Sequence, residues 1–342
     1  MESTLPQEAV ESESSQEPAP STFPENTMFS IRGIEEADAR KLAHNLGSCL
    51  RKLGRIIDVS NLDGVTIAYD YDEALAELDR GYETAFVLTR TTDVGTGVAM
   101  TPSVLRDGNL KSHILMHAHV ANMILSDDEE QFKMALHTIA HECAHVEITA
   151  AYDTCFPGEL LRATHPTLLH AYHEQVFSAC WDEYAATRIA GTIGYDPMPG
   201  YEETFVAVLG QVDEKVAELV RGFRGGTAEE TDTFVGAVFG AYGNLAKFAC
   251  YFLGTLASSG RKGDPGERIT AELADSWFRP YFFKIENSCS DLFEEFGKWP
   301  DKAGFETIGD IVEEIVEDQV MRIRREDDGR YSIFVHHDQV NS

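Results

Sequence analysis

Residues 126–150 read SDDEEQFKMALHTIAHECAHVEITA, and both the fold and the chemistry of the chain turn on this stretch. Ser126 followed three residues later by Glu129 has the form of a capping box, in which hydroxyl and carboxylate satisfy free N–H groups of a first helical turn. A helix is therefore expected from Asp127 to about Ala150. Leu136, Ile139, Ala140, Cys143 and Val146 recur at helical spacing on its apolar face. His141 and His145 fall on a different face, one turn apart, close enough to share one metal ion. Glu142 points toward the open coordination position of that ion. There a carboxylate can take a proton from water on the metal and pass it to a leaving amine. The pattern His141-Glu142-Cys143-Ala144-His145 is H-E-x-x-H.

Catalytic zinc ordinarily has three protein ligands, so one is missing from this motif. The extension H-E-x-x-H-x-x-G-x-x-H fails, because Ile148 stands where Gly belongs and Ala151 where the third His belongs. The best remaining donor is Glu183, a carboxylate in the apolar, small-residue stretch FSACWDEYAATRIAG (177–191). Its distance from His145 leaves room for a loop and a returning helix. Asp182 is a rival that needs the helix rotated by one residue. Asp153, eight residues after His145, is another, on the same face if the first helix continues. Glu202 and Glu203 belong to a later segment, and Glu147 points away by helical phase.

Toward the N-terminus, residues 34–53 read as a helix with Leu42, Leu46, Leu50 and Leu53 on one stripe. A strand at 65–69, a helix starting near Asp72 and β-rich segments at 84–89 and 97–101 follow. Residues 112–124 (SHILMHAHVANMI) have the propensity of a further strand, with His113, His117 and His119 on one face, lining a polar cleft. Residues 1–27 are rich in Glu, Ser and Pro, lack Lys and Arg, and are expected to form a disordered acidic tail. Toward the C-terminus the chain reads as helical to Ser258, with breaks at 156–158, 194–200 and 222–226. After a Gly/Pro/charge-rich break at 259–268 come an amphipathic helix on Ile308, Ile311, Val312, Ile315 and Val316, a strand at 331–335, and His336 and His337 in a solvated tail.

Composition narrows the partners. The 342 residues are 43% hydrophobic and 25% charged, as in an ordinary soluble protein, but the formal net charge is −30. Such a surface repels phosphate, which argues against nucleic acid and anionic membrane and favours approach by basic or neutral peptides. Six scattered cysteines without a CxxC pair suit free thiols in a reducing compartment, and no export signal is readable, so a cytoplasmic protein is expected. Residues 233–255 are apolar and almost long enough to span a bilayer, yet Asn244 and Lys247 interrupt them. They read as a buried helix.

The order helix, strand, helix, strands, HExxH helix and Glu-bearing helix resembles the zincin metallopeptidases, in their gluzincin branch, over about residues 30–200. HECAH is the specific part, and Cys143 departs from the residues usual inside the motif, although helical phase turns it to the core. The resemblance implies an α+β fold. A zincin-like catalytic domain with a small mixed sheet and the HExxH helix would occupy residues 28–200, and a mainly helical region, residues 201–342, would pack on it. It implies Zn²⁺ held by His141, His145 and Glu183, Glu142 as general base, and a peptide or protein substrate. In that family the strand before the active-site helix is the edge that binds the peptide, which points to His117, Ala118 and His119. A His or Tyr between the ligand helices often steadies the oxyanion, which points to His170, Tyr172 or His173. His137, one turn before His141, would lie at the cleft edge. Two other classes fit the same residues: a zinc-binding scaffold or regulator without proteolysis, and a helical interaction or membrane-peripheral protein in which HECAH is accidental. The first holds metal and cleaves nothing; the second holds no stoichiometric metal.

Overall fold

The computed structural model describes residues 19–84, 87–90, 97–161, 164–327 and 329–336. Its N-terminal part is a five-stranded mixed sheet with helices packed on it. Strands β1 (Met28–Arg32), β2 (Leu62–Ala68) and β5 (Asn109–His117) run parallel, with Phe29 opposite Val65 and Val65 opposite Ile114. Strands β3 (Ala99–Met100) and β4 (Ser103–Arg106) lie antiparallel to β5. Helices α1 (Glu36–Leu53), α2 (Tyr71–Ala76), α3 (Ala118–Asn122) and α4 (Glu129–Cys155) complete this part. The chain then becomes helical through α5 (Leu168–Ala190), α6 (Met198–Gly222), α7 (Ala228–Ser258), α8 (Gly266–Ala274), α9 (Arg279–Glu294) and α10 (Ala303–Gln319). It ends in the antiparallel pair β6 (Met321–Arg325) and β7 (Tyr331–Val335).

The long helices fall where periodicity places them, and the differences from expectation have local causes. Asp128, not Ser126, caps α4: its carboxylate accepts the Gln131 N–H at 3.0 Å, while Ser126 holds the Asp128 N–H at 3.1 Å. The expected strand over 112–124 begins earlier and stops at His117. Asp107 and Gly108, with φ of 51° and 79°, form the tight Asp-Gly turn that joins β4 to β5, so pairing starts at Asn109. At the other end the His117 imidazole caps α3, accepting the His119 N–H at 3.2 Å, and β-propensity yields to a helical turn. Because β5 has β2 on one side and β3 and β4 on the other, it is interior, and His117, Ala118 and His119 do not form an edge strand. The edge on that side of β5 belongs to β3 and β4, and β1 is the other edge of the sheet.

No strand occurs among the described residues of 84–89; residues 85 and 86 lie outside them. Strand β1 went unread in the sequence, as did α8, α9 and β6. The expected disordered tail, residues 1–27, does not extend over residues 19–27. Residues 1–18 lie outside the described residues, but Phe23 is buried in the sheet core and the Thr22 hydroxyl donates to the Gly54 carbonyl at 2.9 Å. His336 is likewise tied, its N–H donating to the Val320 carbonyl; His337 lies outside the described residues.

Two cores result. One packs the sheet and α1 through Leu42, Leu46, Leu50, Val65, Ile67 and Ile114. The other packs α5 to α10 through Phe177, Trp181, Phe239, Phe252, Phe282 and Phe305. Helix α4 lies between them, sending Ile139, Ala140, Cys143 and Val146 into the first and Ala144, Ile148 and Tyr152 into the second. A helix apolar on two sides is a buried one, which leaves its remaining stripe of His141, Glu142 and His145 enclosed between the cores. Helix α5, read with the catalytic part, packs chiefly with α7 in the helical core. All six cysteines are free thiols. No helix among the described residues is long and apolar enough to cross a membrane, and the stretch 233–255 lies within the packed helix α7.

The α5–α7 crossing depends on Gly254. A Cβ there would collide with the Thr187 hydroxyl and the Tyr184 carbonyl. Gly254→Ala is expected to destabilise the fold by about 1–3 kcal/mol, the usual cost of overpacking. Urea unfolding measures this, and an unchanged midpoint would mean that the helices cross with room to spare.

Candidate metal centre

The buried stripe of α4 meets α5 at three donor atoms. His141 Nε2 and His145 Nε2 are 3.0 Å apart, and Glu183 Oε2 lies 3.3 Å from the first and 3.7 Å from the second. One ligand atom of each residue lies within 4.8 Å of the others. Four-coordinate zinc with bonds of about 2.0–2.1 Å sets its donors roughly 3.3–3.4 Å apart, so the set fits. His141 Nδ1 and Glu183 Oε2 are buried without an aligned hydrogen-bond partner.

Electrostatics favour a cation at this point. Burial alone would raise the Glu183 carboxyl, but the adjacent His141 and His145 imidazoles outweigh it and hold the group at about 2. Burial would also neutralise His145, but Asp182, Glu183 and Glu142 outweigh that and raise it to about 10. Three carboxylates around two imidazoles thus demand positive charge, of which one proton supplies a third and a divalent cation two thirds.

Asp182 stands behind the centre rather than in it. Its Oδ2 lies 3.1 Å from His145 Nδ1, the nitrogen turned away from Glu183, where a carboxylate fixes the ring and raises its basicity. Asp182→Asn is expected to weaken metal affinity roughly 10–100-fold, measured by competition with a chelating dye. Unchanged affinity would show that His145 is oriented by packing alone.

Glu142 is 5% exposed, and the Thr101 hydroxyl donates to its Oε2 at 2.6 Å. Burial pushes its carboxyl up, against the pull of His145 and His141. A cavity of about 450 Å³ opens beside these residues. Its walls are Gly97 to Thr101 at the β3 edge, the donor helices, Tyr201 and Thr204 of α6, and Lys247, Phe248 and Tyr251 of α7. The helical part therefore supplies the far wall. The Tyr251 hydroxyl hydrogen-bonds Glu183, and its ring stacks on His141 with centroids 6.1 Å apart. Burial, reinforced by Glu183, raises the Tyr201 and Tyr251 phenols well above their ordinary range, so both are neutral donors. His137 also lines the cavity. Its Nδ1 is 3.2 Å from the Ile193 carbonyl, which can only accept, so the unpartnered Nε2 carries a lone pair.

Other candidates are engaged elsewhere. His170 bonds Thr167 at the start of α5, Tyr172 donates to the Asp232 carbonyl at 2.8 Å, and His173 lies 2.5 Å from Glu313. None of the three lines the cavity. Asp153 accepts the Gly158 N–H at 3.1 Å and shapes the loop after α4, two turns beyond His145. His113 bridges Thr66 and Asp63 within the sheet, and His117 and His119 stack on each other beside Tyr69. Thr101, Tyr201 and Tyr251 carry no signal of their own in the sequence, since each is common in turns or cores. No protein-family model, curated protein or solved structure matches the chain.

Proposed function

We propose that this cleft is the active site of a zinc-dependent, gluzincin-like metallopeptidase. The observation that carries the proposal is a buried carboxylate, Glu142, set between two buried histidines whose third companion is a half-buried carboxylate, Glu183, all facing an open sheet edge. A mixed set of two imidazoles and one carboxylate suits Zn²⁺. Zinc bound there would supply Lewis acidity, polarising the scissile carbonyl and making water a stronger acid. Glu142, steered by Thr101, accepts the proton of the attacking water and returns it to the leaving amine. The neutral phenol of Tyr201, which lines the same cavity, is the donor best placed to meet charge developing on the carbonyl oxygen.

The β3 edge supplies a way to hold an extended peptide. The Val98 and Pro102 carbonyls accept from His117 and His113 of β5 at 2.8 and 3.0 Å. By strand alternation, Gly97, Ala99 and Thr101 turn their main-chain groups to the cavity side, where a peptide can add as a further strand. The test is incubation of the zinc-loaded full chain with denatured casein and a mixed peptide library, read by mass spectrometry. New termini that are absent with Glu142→Gln support the proposal. Intact peptides after incubation with protein carrying one zinc per chain would overturn it.

A further inference from the structure

Asn244 and Lys247 interrupt the apolar run of α7, and the hydrolysis proposed above gives neither a task. Lys247 lines the metal cleft and also a smaller adjoining recess of about 140 Å³. It lies one helical turn before Tyr251, whose hydroxyl bonds Glu183, so its ammonium rises from the same face of α7. Three carboxylates, Glu142, Asp182 and Glu183, share the cleft with it. Yet among the described residues Lys247 pairs with no carboxylate; its contact is with the ring of Phe248, 5.0 Å from the centroid. The exposed Gln175 and the half-buried Asn244 also line the recess, and neither side-chain amide has a hydrogen-bond partner among the described residues. No carboxylate lines it, and the Tyr172 hydroxyl there is committed to the Asp232 carbonyl.

One ammonium and two amides, beside a cleft of a chain with net charge −30, are a local reversal of sign. Lys247 shares the cleft with three acids and, among the described residues, pairs with none of them. We propose that Lys247, with Asn244 and Gln175, binds a carboxylate carried by the peptide substrate, and that this site selects peptides with a negative charge near the scissile bond. The inference rests on the peptidase reading of the cleft. The carboxylate can be the peptide's own C-terminus or the side chain of Asp or Glu, which share the chemistry read here. The overall negative field slows the approach of such a peptide, whereas the ammonium acts within about 10 Å, so the preference appears in affinity rather than in association rate.

Zinc-loaded full-length Glu142→Gln isolates binding from cleavage. The probes are fluorescein-labelled octapeptides of one neutral sequence in three forms: free C-terminus, amidated C-terminus, and amidated with a single Glu scanned through the positions. Anisotropy is expected to show at least about tenfold tighter binding for one of the carboxylate forms than for the neutral amide. The form that gains names the source: the free-terminus arm makes the enzyme a C-terminal peptidase, and the Glu arm gives it acidic side-chain specificity. Adding Lys247→Ala should bring the ratio near one, Asn244→Asp should lower it, and Lys247→Arg should keep most of it, with zinc content unchanged in each. Equal affinity for charged and neutral peptides, no peptide binding, or a ratio that survives Lys247→Ala overturns the proposal. The two readings fail separately. Cleavage by the native chain without charge preference removes the anchor alone, and a Lys247-dependent preference without cleavage removes the peptidase alone.

Discussion

Glu142→Gln should retain zinc and lose about 10²–10⁴-fold in kcat. The amide is nearly isosteric with the carboxylate and can still meet the Thr101 hydroxyl, so the packing around residue 142 survives. It cannot take a proton from water. Because the donor set is His141, His145 and Glu183, no metal ligand is removed. Zinc content, peptide affinity and kcat measured together separate the base from the metal ligands. A variant with full kcat would place the proton carrier elsewhere, and one that loses its zinc would show that Glu142 belongs to the metal site.

Metal removal should have an effect as large. Dialysis against a chelator is expected to abolish hydrolysis, and one equivalent of zinc to restore it. It should also lower thermal stability, because it leaves two imidazoles 3.0 Å apart among three buried or half-buried carboxylates that have lost their largest counter-charge. Hydrolysis that continues in excess chelator, with no metal detected, would detach the activity from this centre.

How much of this was legible depends on sequence distance. His141, Glu142 and His145 sit within five residues of one helix, so the helical repeat alone puts the histidines together. Glu183 was reachable because a carboxylate in an apolar helix needs a partner. Its neighbour Asp182 differs only by helical phase, and that phase is set by how α5 packs on α7, which no local pattern reports. The β3 edge was misassigned to residues 117–119 for a related reason. The apolar run 112–124 suits a strand throughout, while the Asp107–Gly108 turn and the His117 cap decide where pairing begins and ends. His170, Tyr172 and His173 were drawn by their position between the ligand helices. The fold turns them toward Thr167, Asp232 and Glu313, and residues from α6 and α7, far along the chain, line the cleft instead. Helix existence follows from local periodicity, whereas the wall of a site assembled from distant helices is a product of packing.

The central claim is that His141, His145 and Glu183 form one metal centre. It is tested most directly by elemental mass spectrometry of the native chain after gel filtration, beside His141→Ala and Glu183→Ala. About one zinc per native chain is expected, lost in His141→Ala and weakly held in Glu183→Ala. A native chain that stays free of metal after incubation with zinc, or one that keeps its zinc equally well without His141, would contradict the account.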